Sequence, residues 1–140
     1  MPEPSLPAGT PRHVFVYGTL RRGGSNDITR LLPAPHWVGF AQVPGVLFHL
    51  GAYPGMTLRG DQPVHGEVYA IEPALEEVLD AIEGLTGDHP TDEYLKREIV
   101  VTVEGQRLSC LVYEIHPRYT EGARRIEHGD WLRAVGTTSA

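Results

Sequence analysis

Short runs of β-branched and aromatic residues, broken by glycine and proline, recur along the chain of 140 residues. The first, residues 13–17 (HVFVY), stops at Gly18, as a strand does where the chain turns sharply. Further apolar or alternating runs at 37–43, 46–50, 64–71, 94–103 and 108–115 read as strands, separated by turn residues such as Pro44-Gly45 and Glu104-Gly105. The last two read as a hairpin. One stretch has the helical period: in residues 71–85 (IEPALEEVLDAIEGL), Leu75, Val78, Leu79 and Ile82 share a face. Pro73 suits the first turn and Gly84 the C-terminal stop. Glu76, Glu77 and Asp80 then fall on the solvent face. A weaker helical pattern spans 120–127. Many strands with one strong helix predict an α+β domain: a small, mixed, largely antiparallel β-barrel with the helix packed against it.

Composition agrees with a single folded unit. Apolar residues make up 41% and charged residues 21%, ordinary for a globular chain, and 140 residues suffice for one hydrophobic core. Residues 1–12 carry four prolines and little that packs, predicting a disordered leader; 13–135 form the domain and 136–140 a frayed tail. A formal charge of −6 argues against a nucleic-acid partner, which asks for a basic face. Neither a membrane-spanning run nor a signal-peptide pattern is present, so the expected location is cytoplasmic. The lone Cys110 sits in a half-buried strand pattern and reads as a small core residue. The seven histidines are not paired at ligand spacing, so no metal site is expected. Arg21 and Arg22 read as solvated charges, with a lesser prospect of meeting an anionic substrate. The pattern leaves oligomeric state open.

Six segments then occur in order: VFVYGTLRRG (14–23), GAYPG (51–55), GEVYAI (66–71), LDAIEG (79–84), EYLKREIVVTV (93–103) and GDW (129–131). Together they resemble the gamma-glutamylcyclotransferase-like family across nearly the whole folded part. The resemblance implies a small mixed barrel. It also implies an enzyme that needs no cofactor and releases 5-oxoproline from a small-molecule gamma-glutamyl amine or peptide. The loop Tyr17, Gly18, Thr19 and Leu20 would cradle the substrate and Glu83 would serve as general acid/base. Where relatives often carry an arginine two residues after the strand tyrosine, this chain has Lys96, followed by Arg97.

The chemistry suits these residue types. In cyclotransfer the nucleophile is the substrate's own α-amine, so the absence of a GxSxG elbow or a Cys/His pair is no objection. Glu83 lies beside Ile82 and four residues after Leu79, at the border of the buried helical stripe. Partial burial and the negative end of the helix dipole both predict a raised pKa. The loop amides could converge on an anionic group, and Gly18 permits close approach. Glu67 and Asp80 are competing carboxylates, read as a strand-surface residue and a solvated one. Tyr53, Tyr94 and Tyr113 read more readily as core than as ligand contacts. The alternative to an enzyme is a non-catalytic small-molecule binding module on the same fold.

Overall fold

The computed structural model describes residues 12–85 and 93–135; the expectations for the leader and the tail lie outside the described residues, except at Arg12. Six strands, β1 (Arg12–Val16), β2 (His36–His49), β3 (Pro54–Ile71), β4 (Tyr94–Val103), β5 (Gln106–Ile115) and β6 (Arg124–Arg125), form one sheet in the order β4-β5-β1-β3-β2-β6. Among the described residues only β1 and β5 run parallel; every other pairing is antiparallel. The sheet curls into a half-barrel with one main helix, α1 (Pro73–Ile82), as the α+β pattern predicts. A short helix, α2 (Trp131–Val135), ends the described chain.

Period-two alternation divides the strands between two cores. Phe15, Val64, Val68, Cys110 and Val112 point into the barrel with Leu47, Met56 and Trp131. On the other face Val14, Val16, Tyr69, Ile71, Leu111, Tyr113 and Ile115 pack with Leu75 and Leu79 of α1. The helix is therefore clamped over β1 and β5 by its apolar stripe, and Cys110 is the core residue expected.

Three features differ from the sequence reading. Pro44 and Gly45 do not separate two strands: β2 continues through them, still paired to Pro63 and Gln62, before the register shifts and Val46 pairs with Thr57. Four residues of β3 are looped out there, so a turn signal in sequence is a bend in one long hairpin. The helix expected at 120–127 is absent. A 3-10 turn (Pro117–Thr120) leads instead to β6, because Arg124 and Arg125 pair with His49 and Phe48 and the Ile126 N–H reaches the Leu47 carbonyl. Finally, β1 begins at Arg12, one residue before the expected start of the domain, where it pairs with Ile71.

Candidate active site

The stop of α1 places Glu83. The N–H of Leu85 donates to the Asp80 carbonyl at 2.9 Å and that of Gly84 to the Ala81 carbonyl at 3.1 Å. These are the two bonds of a Schellman motif, with Gly84 in the left-handed region at φ 79°. Glu83 is thus the C-cap residue, and its half-buried side chain looks into a cavity of about 220 Å³. That is smaller than the ~300–1,000 Å³ of pockets for drug-sized ligands and suits a ligand of amino-acid scale.

Tyr17, Gly18, Thr19 and Leu20 line the same cavity, so the helix end and the loop meet as the sequence reading requires. The loop leaves β1 in tight turns. The Arg21 N–H donates to the Gly18 carbonyl, Asn26 to Thr19 and Ile28 to Leu20, at 2.8–3.0 Å. Their carbonyls are engaged, while among the described residues nothing accepts from the N–H groups of Gly18, Thr19 or Leu20. Among the described residues, three amides on one turn are thus left without an acceptor and could meet an anionic group. Gly18 is where the loop meets the far wall: a Cβ there would lie 2.6 Å from Cγ of Pro54. The Tyr17 hydroxyl donates to the Tyr113 carbonyl at 2.6 Å and accepts from the Met56 N–H at 3.2 Å, so Tyr17 offers its ring. Thr19 Oγ1 accepts from Asn26 Nδ2 at 3.1 Å.

The far end of the loop is fixed by a buried ion cluster. Arg21 Nε lies 3.0 Å from Glu67 Oε2 and its Nη1 is 2.8 Å from Asp130 Oδ1. Glu67 Oε1 accepts from the Arg22 N–H and the Tyr69 hydroxyl. This corrects the reading of Glu67 as a strand-surface residue and Arg21 as a solvated charge: they are only 2% and 6% exposed. The pattern misled because each buried charge is neutralised by a partner far off in sequence. Arg22 does stay exposed, stacked 5.0 Å over the Trp37 ring. The GDW segment acquires a physical meaning as well. The Gly129 carbonyl accepts from the His65 N–H, Asp130 holds Arg21, and Trp131 enters the barrel core.

Asp80 and Glu76 are likewise not on a solvent face. Asp80 Oδ1 accepts from the Tyr113 hydroxyl at 2.7 Å, and its Oδ2 lies 3.0 Å from Lys96 Nζ. Lys96 also contacts Glu76, which Arg12 reaches from the other side. Neither Lys96 nor Arg97 lines the cavity; Arg97 pairs with Glu114 on β5.

Burial, and then the nearby carboxylate of Glu93, push the Glu83 carboxyl up from 4.5 to about 7. The sequence reading named burial and the helix end, and missed Glu93. Burial also raises Tyr17, Tyr94 and Tyr113, keeping these wall phenols protonated.

A family model described as gamma-glutamyl cyclotransferase, AIG2-like, matches residues 14–133. The chain belongs to that gamma-glutamyl cyclotransferase family. The gamma-glutamylcyclotransferase family protein YtfP of Escherichia coli (strain K12) is 35% identical over 126 residues, covering 85% of this chain and 95% of that protein. The solution structure of ytfP from Escherichia coli superposes with a TM-score of 0.58 at 31% identity, covering 88% of this chain and 98% of that one. An AIG2-like protein from Mus musculus shares the fold, with a TM-score of 0.69 at 23% identity over 87% of this chain and 88% of that one. No helix among the described residues is long and apolar enough to cross a membrane.

Several wall residues of this gamma-glutamyl cyclotransferase-family cavity were not chosen from sequence. Tyr53, Tyr94 and Tyr113 line it together with Pro54, Asn26, Ile82 and Glu93. Tyr53 and Tyr113 could have been found by asking which strand ends neighbour β1; Tyr94 stands on β4, one strand further out, and nothing in the local pattern singles out Glu93.

Proposed function

We propose that the cavity binds a gamma-glutamyl amine or peptide and cyclises it to 5-oxoproline, with Glu83 as the general acid/base. One observation carries the reading: the raised carboxyl of Glu83 and the Gly18, Thr19 and Leu20 amides, without an acceptor among the described residues, line one small cavity. The turn amides hold the substrate's α-carboxylate or the developing oxyanion. Glu83 takes a proton from the α-ammonium. The freed amine attacks the γ-carbonyl carbon and closes a five-membered ring. As the C–N bond to the leaving group breaks, Glu83 returns that proton to the departing nitrogen and then passes the ring nitrogen's second proton to the released amine. The substrate ammonium is converted to 5-oxoproline and the leaving group departs as an ammonium, with no net proton change on the protein. A carboxyl with a pKa of about 7 is half ionised at neutral pH, so it can act in both directions. Such a group typically contributes a factor of ~100 to 10,000 in rate.

The test is mass spectrometry of 5-oxoproline formed from a panel of gamma-glutamyl compounds, with Glu83→Gln beside the wild type. The variant is expected to fold, shown by an unchanged far-UV spectrum, and to lose product formation. Normal turnover by Glu83→Gln removes the acid/base assignment. A compound that raises Tm yet stays intact with both proteins identifies a binding module instead.

A further inference from the structure

The cavity holds a second carboxylate that the proposed reaction does not use. Glu93 immediately precedes β4 and lines the cavity with Glu83. Its backbone carbonyl accepts from the His116 N–H at 2.7 Å, and its carboxylate accepts from the Tyr53 hydroxyl. Tyr53 is itself a wall residue, its ring 6.4 Å from that of Tyr94. The carboxylate is therefore held at the wall at both ends of the residue. Among the described residues, no lysine, arginine or histidine lines the cavity.

We propose that Glu93, held by the Tyr53 hydroxyl, is the positioning residue that keeps a proton on Glu83: two carboxylates share a small cavity, and none of the described residues lining it is a cation. The inference rests on the acid/base reading of Glu83. Like charges facing one cavity resist double ionisation, so a carboxylate beside Glu83 makes Glu83 hold its proton to higher pH. The other groups around Glu83 do not supply this effect. Tyr17 at the end of β1, Tyr94 on β4 and Tyr113 on β5 are phenols held neutral by burial. Tyr53, before β3, is pushed up to about 12, first by its hydrogen bond to Glu93. Asp80, on the same helix as Glu83, is matched by Lys96. On β5, Glu114 is matched by Arg97. Among the described residues Glu93 is the carboxylate left facing Glu83 without a cation, and it is the charge that adds to burial in raising Glu83.

The titration of Glu83 in the free protein decides this without turnover. With glutamate labelled at its side-chain carboxyl carbon, the Glu83 resonance is assigned by its loss in Glu83→Gln and followed by NMR from pH 3 to 10. Its midpoint should fall by roughly 0.5 to 1 pH unit in Glu93→Gln, and in the same direction in Tyr53→Phe, which leaves the carboxylate unheld. Glu77→Gln, which removes an exposed charge on the same helix, should leave it in place. If Glu93 only staples β4 to the wall, Tm drops in both variants while the Glu83 midpoint stays put, and the proposal is wrong. A wild-type midpoint in the ordinary carboxylate range overturns it as well. Tyr53→Phe keeps the test decisive should Glu93→Gln fail to fold. Where turnover is measurable, the acid limb of the kcat/KM profile should move by the same amount. A wild-type protein that forms no 5-oxoproline counts against the catalytic reading alone, and the titration still decides this one.

Discussion

Replacing Glu83 by glutamine should stabilise the fold at alkaline pH and leave it unchanged near pH 4. The carboxyl rises from 4.5 in the unfolded chain to about 7 in the folded one, through burial first and the Glu93 carboxylate second. Below pH 4.5 both states hold the proton and Glu83 contributes nothing. Between 4.5 and 7 the folded state binds more protons than the unfolded one, so stability falls as pH rises. Above 7 the folded state carries a half-buried charge and the full penalty. At ~1.36 kcal/mol per pH unit the rise corresponds to about 3 kcal/mol. The side chain opens on a cavity that reaches solvent, which screens the charge, so about 1–3 kcal/mol is the expected range. Glutamine keeps the shape without the charge and escapes the penalty. The assay is urea unfolding of both proteins at pH 4, 5.5, 7 and 8.5, followed by the fluorescence of Trp37 and Trp131. The stability difference should open between pH 4.5 and 7 and then level off, because titrating groups remote from Glu83 cancel between the two proteins. A difference that is flat with pH, or a glutamine variant less stable at pH 8.5, would falsify the account of Glu83 as a strained carboxyl.

Two further substitutions probe the loop. Gly18→Ala places a methyl 2.6 Å from Cγ of Pro54, a ring that cannot rotate away; the loop must shift, and kcat/KM for 5-oxoproline formation should drop at least about tenfold while Tm changes by only a few degrees. Arg21→Met strips Glu67 and Asp130 of their buried cation; unfolding free energy should fall by about 3–5 kcal/mol in urea titrations at pH 7, and an unchanged value would mean the cluster is dispensable.

Most of the fold was legible because its signals are local. Residues 94–103 alternate or run apolar and become β4, and LDAIEGL carries the apolar stripe, the C-cap position and the glycine of a Schellman stop. What could not be read depends on partners distant in sequence. A proline and a glycine at 44–45 signal a turn, yet the neighbouring strand absorbs them as a bend. Glu67 and Arg21 look like surface charges until the fold brings them to within 3.0 Å of each other. Asp80 looks solvated until Tyr113 and Lys96 arrive from β5 and β4. The weak pattern at 120–127 loses to sheet pairing, because Ile126 can be buried from a strand edge as well as from a helix.

Two motifs more than sixty residues apart meet because the lengths of two elements match. Strand β3 runs antiparallel to β1 and ends with Ile71 opposite Arg12, so α1 begins beside the start of β1. The helix then returns along β1, held by Leu75 and Leu79 against Val14 and Val16. Ten helical residues advance about 15 Å and five strand residues about 17 Å. The helix therefore expires where the strand does. Its Schellman stop, rather than a mobile loop, sets Glu83 against the turn after β1, and the buried Arg21 cluster fixes the other side of that turn. A site held between two fixed ends can keep a carboxyl half-buried beside a second carboxylate, because neither end can swing it fully into water.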